Sequence, residues 1–116
     1  MNWYRAIIKD EIIAYNVKMA DSFLKRLVGL LSKEKLYDDE GLLLKNCKQV
    51  HTFGMKFDID VVFLTKDGRI VHTQPKMRPG EVSKYVKSAD GVLELKSGTI
   101  QKYDIKQDEL ITFVTL

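Results

Sequence analysis

The stretch Val61-Val62-Phe63-Leu64-Thr65-Lys66-Asp67-Gly68-Arg69-Ile70-Val71 decides the fold. Its opening apolar run, Val61 to Leu64, offers no polar face, so it reads as a central strand covered on both sides. Asp67-Gly68 follows at once, and an Asp-Gly pair between two apolar runs is a strong hairpin signal, because glycine accepts the positive φ of a tight turn. The returning strand runs from Ile70 to Met77. Pro75 has no N–H to give a ladder, so it marks that strand as an edge or marks its end.

Working outward, the segments share this β character. Trp3 to Ile8 and Ile12 to Val17 are rich in aromatic and β-branched residues around the polar break Lys9-Asp10-Glu11, the pattern of a second hairpin. Leu42-Leu43-Leu44 follows the turn signal Asp38-Asp39-Glu40-Gly41, Val92 to Leu95 precedes the turn Lys96-Ser97-Gly98, and Leu110 to Val114 closes the chain. One region changes period. Phe23, Leu27, Leu30 and Leu31 line one face of a helix over about residues 20–31, with Asp21 or Ser22 as N-cap. The fold class that follows is mainly β: a small β-sandwich or partly open barrel of seven or eight strands with one covering helix.

Composition narrows the function classes. A chain of 116 residues with 45% hydrophobic and 30% charged residues reads as one globular domain, 1–116. The lone Cys47 allows neither an internal disulfide nor a thiolate metal cage. Nineteen basic residues face sixteen acidic ones, and Lys33, Lys45, Lys56, Arg69, Lys84, Lys96 and Lys106 are scattered rather than clustered. No nucleic-acid partner is expected from that distribution. Charges at Arg5, Lys9, Asp10 and Glu11 interrupt any signal-peptide core, and no apolar run approaches the ~20 residues of a membrane span. The expected location is the cytoplasm.

Standard catalytic templates are missing as well. There is no Gly-x-Ser-x-Gly elbow and no P-loop, and His51 and His72 are the only histidines, neither at metal-ligand spacing. No metal and no cofactor are expected. Candidate site residues concentrate in Cys47-Lys48-Gln49-Val50-His51-Thr52-Phe53-Gly54-Met55-Lys56-Phe57-Asp58-Ile59-Asp60. Here His51, Met55, Lys56, Asp58 and Asp60 combine an apolar wall with polar groups, as a binding site for a small polar ligand or a peptide does. Asp58 and Asp60, two apart, would share a strand face. Either both serve a site, or one caps backbone amides and the other pairs with a cation such as Lys56 or Arg26. A Cys47–His51 thiolate–imidazole pair is weighed against a buried thiol that only packs. Arg26 and Glu94 are charges inside apolar patterns, which suggests an ion pair locking helix to sheet.

Taken together, several runs resemble the bacterial and archaeal family known as domain of unknown function 192. They are Arg26-Leu27-Val28-Gly29-Leu30-Leu31, Glu40-Gly41-Leu42-Leu43-Leu44, His51 to Leu64, Asp67-Gly68 and Ala89 to Gly98. The resemblance implies a compact β-sandwich-like domain and carries over no catalytic role. Two departures are visible. Many members have an N-terminal export or membrane segment where this chain begins with a strand, and a Gly-Asp pair near the C-terminal end stands here as Gln107-Asp108. The function expected is a non-catalytic binding or interaction module. The alternative is a hydrolase or lyase with His51 as general base oriented by Asp58 or Asp60, and a third possibility is partner binding by strand addition at a sheet edge.

Overall fold

The structure, a computed structural model, describes residues 3–20, 36–37 and 39–116. The chain forms β1 (Trp3–Ile8), β2 (Glu11–Ala20), β3 (Glu40–Lys45), β4 (Ile59–Leu64), β5 (Ile70–Met77), β6 (Gly91–Lys96), the short helix α1 (Thr99–Lys102) and β7 (Thr112–Thr115). Seven strands make one sheet in the order β5-β4-β6-β3-β2-β1-β7. Every pairing is antiparallel except β2 with β3. The mainly β expectation therefore holds. The helix expected over about 20–31 lies outside the described residues, apart from Ala20, which ends β2.

The two hairpins form as their sequences dictate. Lys9 and Asp10 both adopt positive φ, 50° and 65°, and Ile8 pairs with Glu11, which is the two-residue turn matched to strand twist. Glu11 thus belongs to β2 rather than to the break. β4 is the buried centre, with all six of its residues buried. Ile59, Val61 and Phe63 enter one apolar cluster with Leu42, Leu44 and Met77, while Val62 and Leu64 enter a second with Leu43, Leu93 and Leu95. Alternation along one strand thus feeds two cores, one on each face. Pro75 lies on β5, which is an edge strand, where its missing N–H costs no ladder bond.

The sheet rolls without closing. Its two edge strands, β5 and β7, meet only near the start of each. Arg69 and Leu110 form an isolated antiparallel bridge. Around it the Ile70 amide donates to the Glu109 carbonyl, the Asp108 amide to the Ile70 carbonyl and the Ile111 amide to the Gly68 carbonyl, each at 2.8 Å. This seam makes a partly open barrel from an open strand order. No helix among the described residues is long and apolar enough to cross a membrane.

Candidate functional site

The loop that carries His51 is held from below by Thr52. Its side chain is fully buried, and its Oγ1 donates to the Arg78 carbonyl at 2.5 Å and accepts the Glu81 amide at 2.9 Å. The Thr52 amide donates to the Glu81 carbonyl, and its own carbonyl accepts the amides of Met55 and Gly80. One threonine therefore joins residues 51–55 to residues 78–81, and His51 and Val82 add an isolated bridge. A loop so fixed holds its exposed side chains at little entropic cost on binding.

The five predicted residues separate on this scaffold. His51 is exposed, and its ring stacks on Phe53 with centroids 5.0 Å apart. Its Nδ1 accepts the Phe53 amide at 3.2 Å, which leaves Nε2 as the proton-bearing nitrogen of the neutral ring. Lys56 and Asp58 are exposed beside it in sequence. Met55, by contrast, is buried in the first apolar cluster. Asp60 is fully buried: its Oδ1 accepts the Lys76 amide at 2.9 Å, and its Oδ2 accepts the amides of Gly98 at 3.1 Å and Ile100 at 2.8 Å.

Asp58 and Asp60 thus do not share a surface. Asp58 precedes the ladder, after a bend at Lys56-Phe57, so the period-two rule starts one residue too late to include it. Asp60 caps the first turn of α1 from a distance and also holds the amide of Lys76, a residue at φ 52°. That amide is presented by a bulge in β5, where Ile59 to Val61 spans Met77 to Gln74 across the ladder.

The other singled-out groups are structural neighbours of the same core. Cys47 is buried and its Sγ donates to the Gln49 carbonyl at 3.2 Å. Glu94 is buried in β6 opposite Leu42 and Val61, two members of the first cluster. Its expected partner, Arg26, lies outside the described residues.

One concavity was not legible beforehand. At the end of the sheet where β3 and β4 finish and β6 begins, a cavity of about 740 Å³ opens. Tyr4, Met19, Leu43, Leu64, Ile111 and Phe113 form its wall, and Lys45, Lys66, Asp67 and Asp90 stand at the rim. No local motif could have announced it, because its lining comes from six strands and the loops that join them. Among the described residues no group of three or more His, Cys, Asp or Glu side chains is placed to hold a metal ion.

Two solved structures resemble this fold. A Sinorhizobium meliloti 1021 protein, provisionally described as a transcription regulator, aligns with a TM-score of 0.81 at 19% identity, covering 97% of this chain and 92% of that one. A Novosphingobium aromaticivorans DSM 12444 protein of unknown function aligns with a TM-score of 0.81 at 16% identity, covering 95% and 83%. At such identities the likeness is one of fold alone. No curated protein matches the sequence. Residues 5–113, nearly the whole chain, match the family domain of unknown function 192, described as "Uncharacterized ACR", and the chain belongs to that family.

Proposed function

We propose that this chain is a non-catalytic binding module that receives a peptide segment across the His51 face. The observation that carries this reading is an exposed aromatic pair on a fixed base. His51 and Phe53 stack in solvent, Phe53 is 52% exposed, and Val82, bridged to His51, is 55% exposed. Exposed apolar side chains that cluster, rather than scatter, mark interaction sites. Around them the Nε2–H of His51 supplies a donor, and Lys56 and Asp58 supply one charge of each sign for register.

The general-base alternative receives less support from the geometry. It needs His51 against Asp58 or Asp60, whereas Asp60 serves three backbone amides and His51 Nδ1 serves Phe53.

Panning short random peptides on the wild type, then measuring the selected peptides against a His51→Ala/Phe53→Ala double variant, tests the proposal. Both side chains are exposed, so the variant keeps its melting temperature. Selected peptides are expected to bind the variant at least about 10-fold more weakly, a loss of ~1.4 kcal/mol. Peptides that bind both proteins equally would remove the His51 face from consideration.

A second reading rests on the sheet-end cavity, whose apolar wall and charged rim suit a small amphipathic ligand. A fragment library read by thermal shift checks it. A true occupant at 100 times its Kd adds about 2.7 kcal/mol of stability. Thr112→Trp, which crowds the cavity from an exposed edge position, is expected to abolish that gain.

A further inference from the structure

His72 takes no part in the face just described. It is half-buried on the edge strand β5, with its ring tilted over Phe63 at 5.5 Å between centroids. It borders a depression of about 640 Å³ whose floor is Val71 and Val86. The polar lining is unusual in its sign. Lys84, Lys87, Ser88, Tyr85, Gln107 and His72 can each donate a hydrogen bond, and no carboxylate is among the described lining residues. The nearest acid in sequence, Asp108, is held by Arg69, whose Nη1 donates to its Oδ1 at 3.2 Å.

The loop that supplies the cations is also fixed. Lys48 donates through Nζ to the carbonyls of Lys87, at 3.0 Å, and Ala89. The Val86 amide donates to the Lys48 carbonyl at 2.8 Å. The backbone that carries Lys87 and Ser88 is therefore fixed by contacts that owe nothing to a ligand. Tyr85, 59% exposed, adds a ring on which a planar group could stack.

We propose that this depression is an anion site for a phosphate monoester carrying a planar ring, the chemistry of a nucleoside monophosphate. Lys84 and Lys87 meet the phosphate charge, Ser88 and Gln107 donate to its oxygens, His72 adds a donor, and Tyr85 stacks on the ring. The site stands independently of the His51 face.

Electrostatics supports the assignment. Burial first, and the Lys84 charge second, hold the His72 imidazole below its usual pKa. The polar groups that line the depression with it are Lys84, Tyr85, Lys87 and Ser88 from the loop and neutral Gln107, and the Phe63 ring of β4 packs against the imidazole. An anion seated among them offsets the repulsion from Lys84 and favours the imidazolium, so binding raises the His72 pKa. By linkage, protonation of His72 and binding of the anion favour each other, while the second ionisation of the phosphate monoester, at about 6, works the other way over the same range.

The chain has two histidines, so NMR of their ring protons reads the site and an internal control together. In saturating inorganic phosphate the His72 pKa is expected to rise by about half a unit or more, while the His51 ring signals show no phosphate-specific change. The reference is sodium chloride at equal ionic strength, because screening alone weakens the Lys84 repulsion. Lys84→Gln/Lys87→Gln should raise the His72 pKa without ligand and remove most of the phosphate response. Adenosine monophosphate should bind at least about threefold more tightly than phosphate, and Tyr85→Leu should erase only that increment. Equal responses to phosphate and chloride, or a response that survives loss of both lysines, would overturn the site. Adenosine monophosphate binding no tighter than phosphate would overturn the ligand class.

Discussion

Asp60→Ala is expected to lower the melting temperature by about 10–15 °C, at a cost of about 3 kcal/mol for a chain of this size. The carboxylate is fully buried and accepts three backbone amides, from Lys76, Gly98 and Ile100. Hydrogen bonds to an ionised acceptor contribute about 1.5–3 kcal/mol each, and buried donors left without partners cost ~1–3 kcal/mol. Simple addition would exceed the figure given. Lys76 is exposed and Gly98 half-exposed, so water can replace part of what is lost. Asp60→Asn refines the test. The amide keeps one acceptor oxygen but turns an NH₂ toward a backbone N–H, so it should recover at most about half of the loss. Melting curves of the three proteins measure both numbers. A fall of under 3 °C for the alanine variant would mean that the bulge in β5 and the first turn of α1 hold without Asp60.

That result bears directly on function, since the sequence places Asp60 among the candidate binding residues. A carboxylate in a polar-aromatic run looks the same in sequence whether it faces a ligand or a set of amides. The amides it meets are 16, 38 and 40 residues away, so no local pattern could reveal the role. The same limit explains Met55 and Thr52. Both lie in the distinctive run, yet one is core and the other is the anchor that joins two loops 26 to 29 residues apart. Local signals did succeed where local physics decides. Val61 to Leu64 had no polar face and became the central strand, Pro75 lacked a donor and lies at an edge, and Lys9-Asp10 made its turn. The parallel pairing of β2 with β3, and the insertion of β6 between β3 and β4, depend on long-range packing that periodicity does not encode.

Gly68→Ala is the second large effect, and it tests whether the seam between β5 and β7 matters to the fold. Gly68 has φ +87°, and a Cβ built there would lie 2.2 Å from the Ile111 carbonyl oxygen. Backbone cannot rotate away as a side chain can, so Ile111 must move, and its amide bond to the Gly68 carbonyl moves with it. Gly80 separates the two components of the cost. Its φ is +83°, nearly the same, but a Cβ there meets nothing within 4 Å. Gly80→Ala should therefore cost only the conformational penalty, about 1 kcal/mol, or roughly 4 °C. Gly68→Ala should cost at least about 3 kcal/mol, because the seam bonds are added to that penalty. Hydrogen exchange should then show the Ile70 and Ile111 amides losing protection while the amides joining β4 and β6 keep theirs. If instead the two variants melt together, the seam contributes nothing. The sheet would then be an open one whose edges merely touch, and the cavity bounded by Gly68 and Ile111 would lose the wall that gives it a shape.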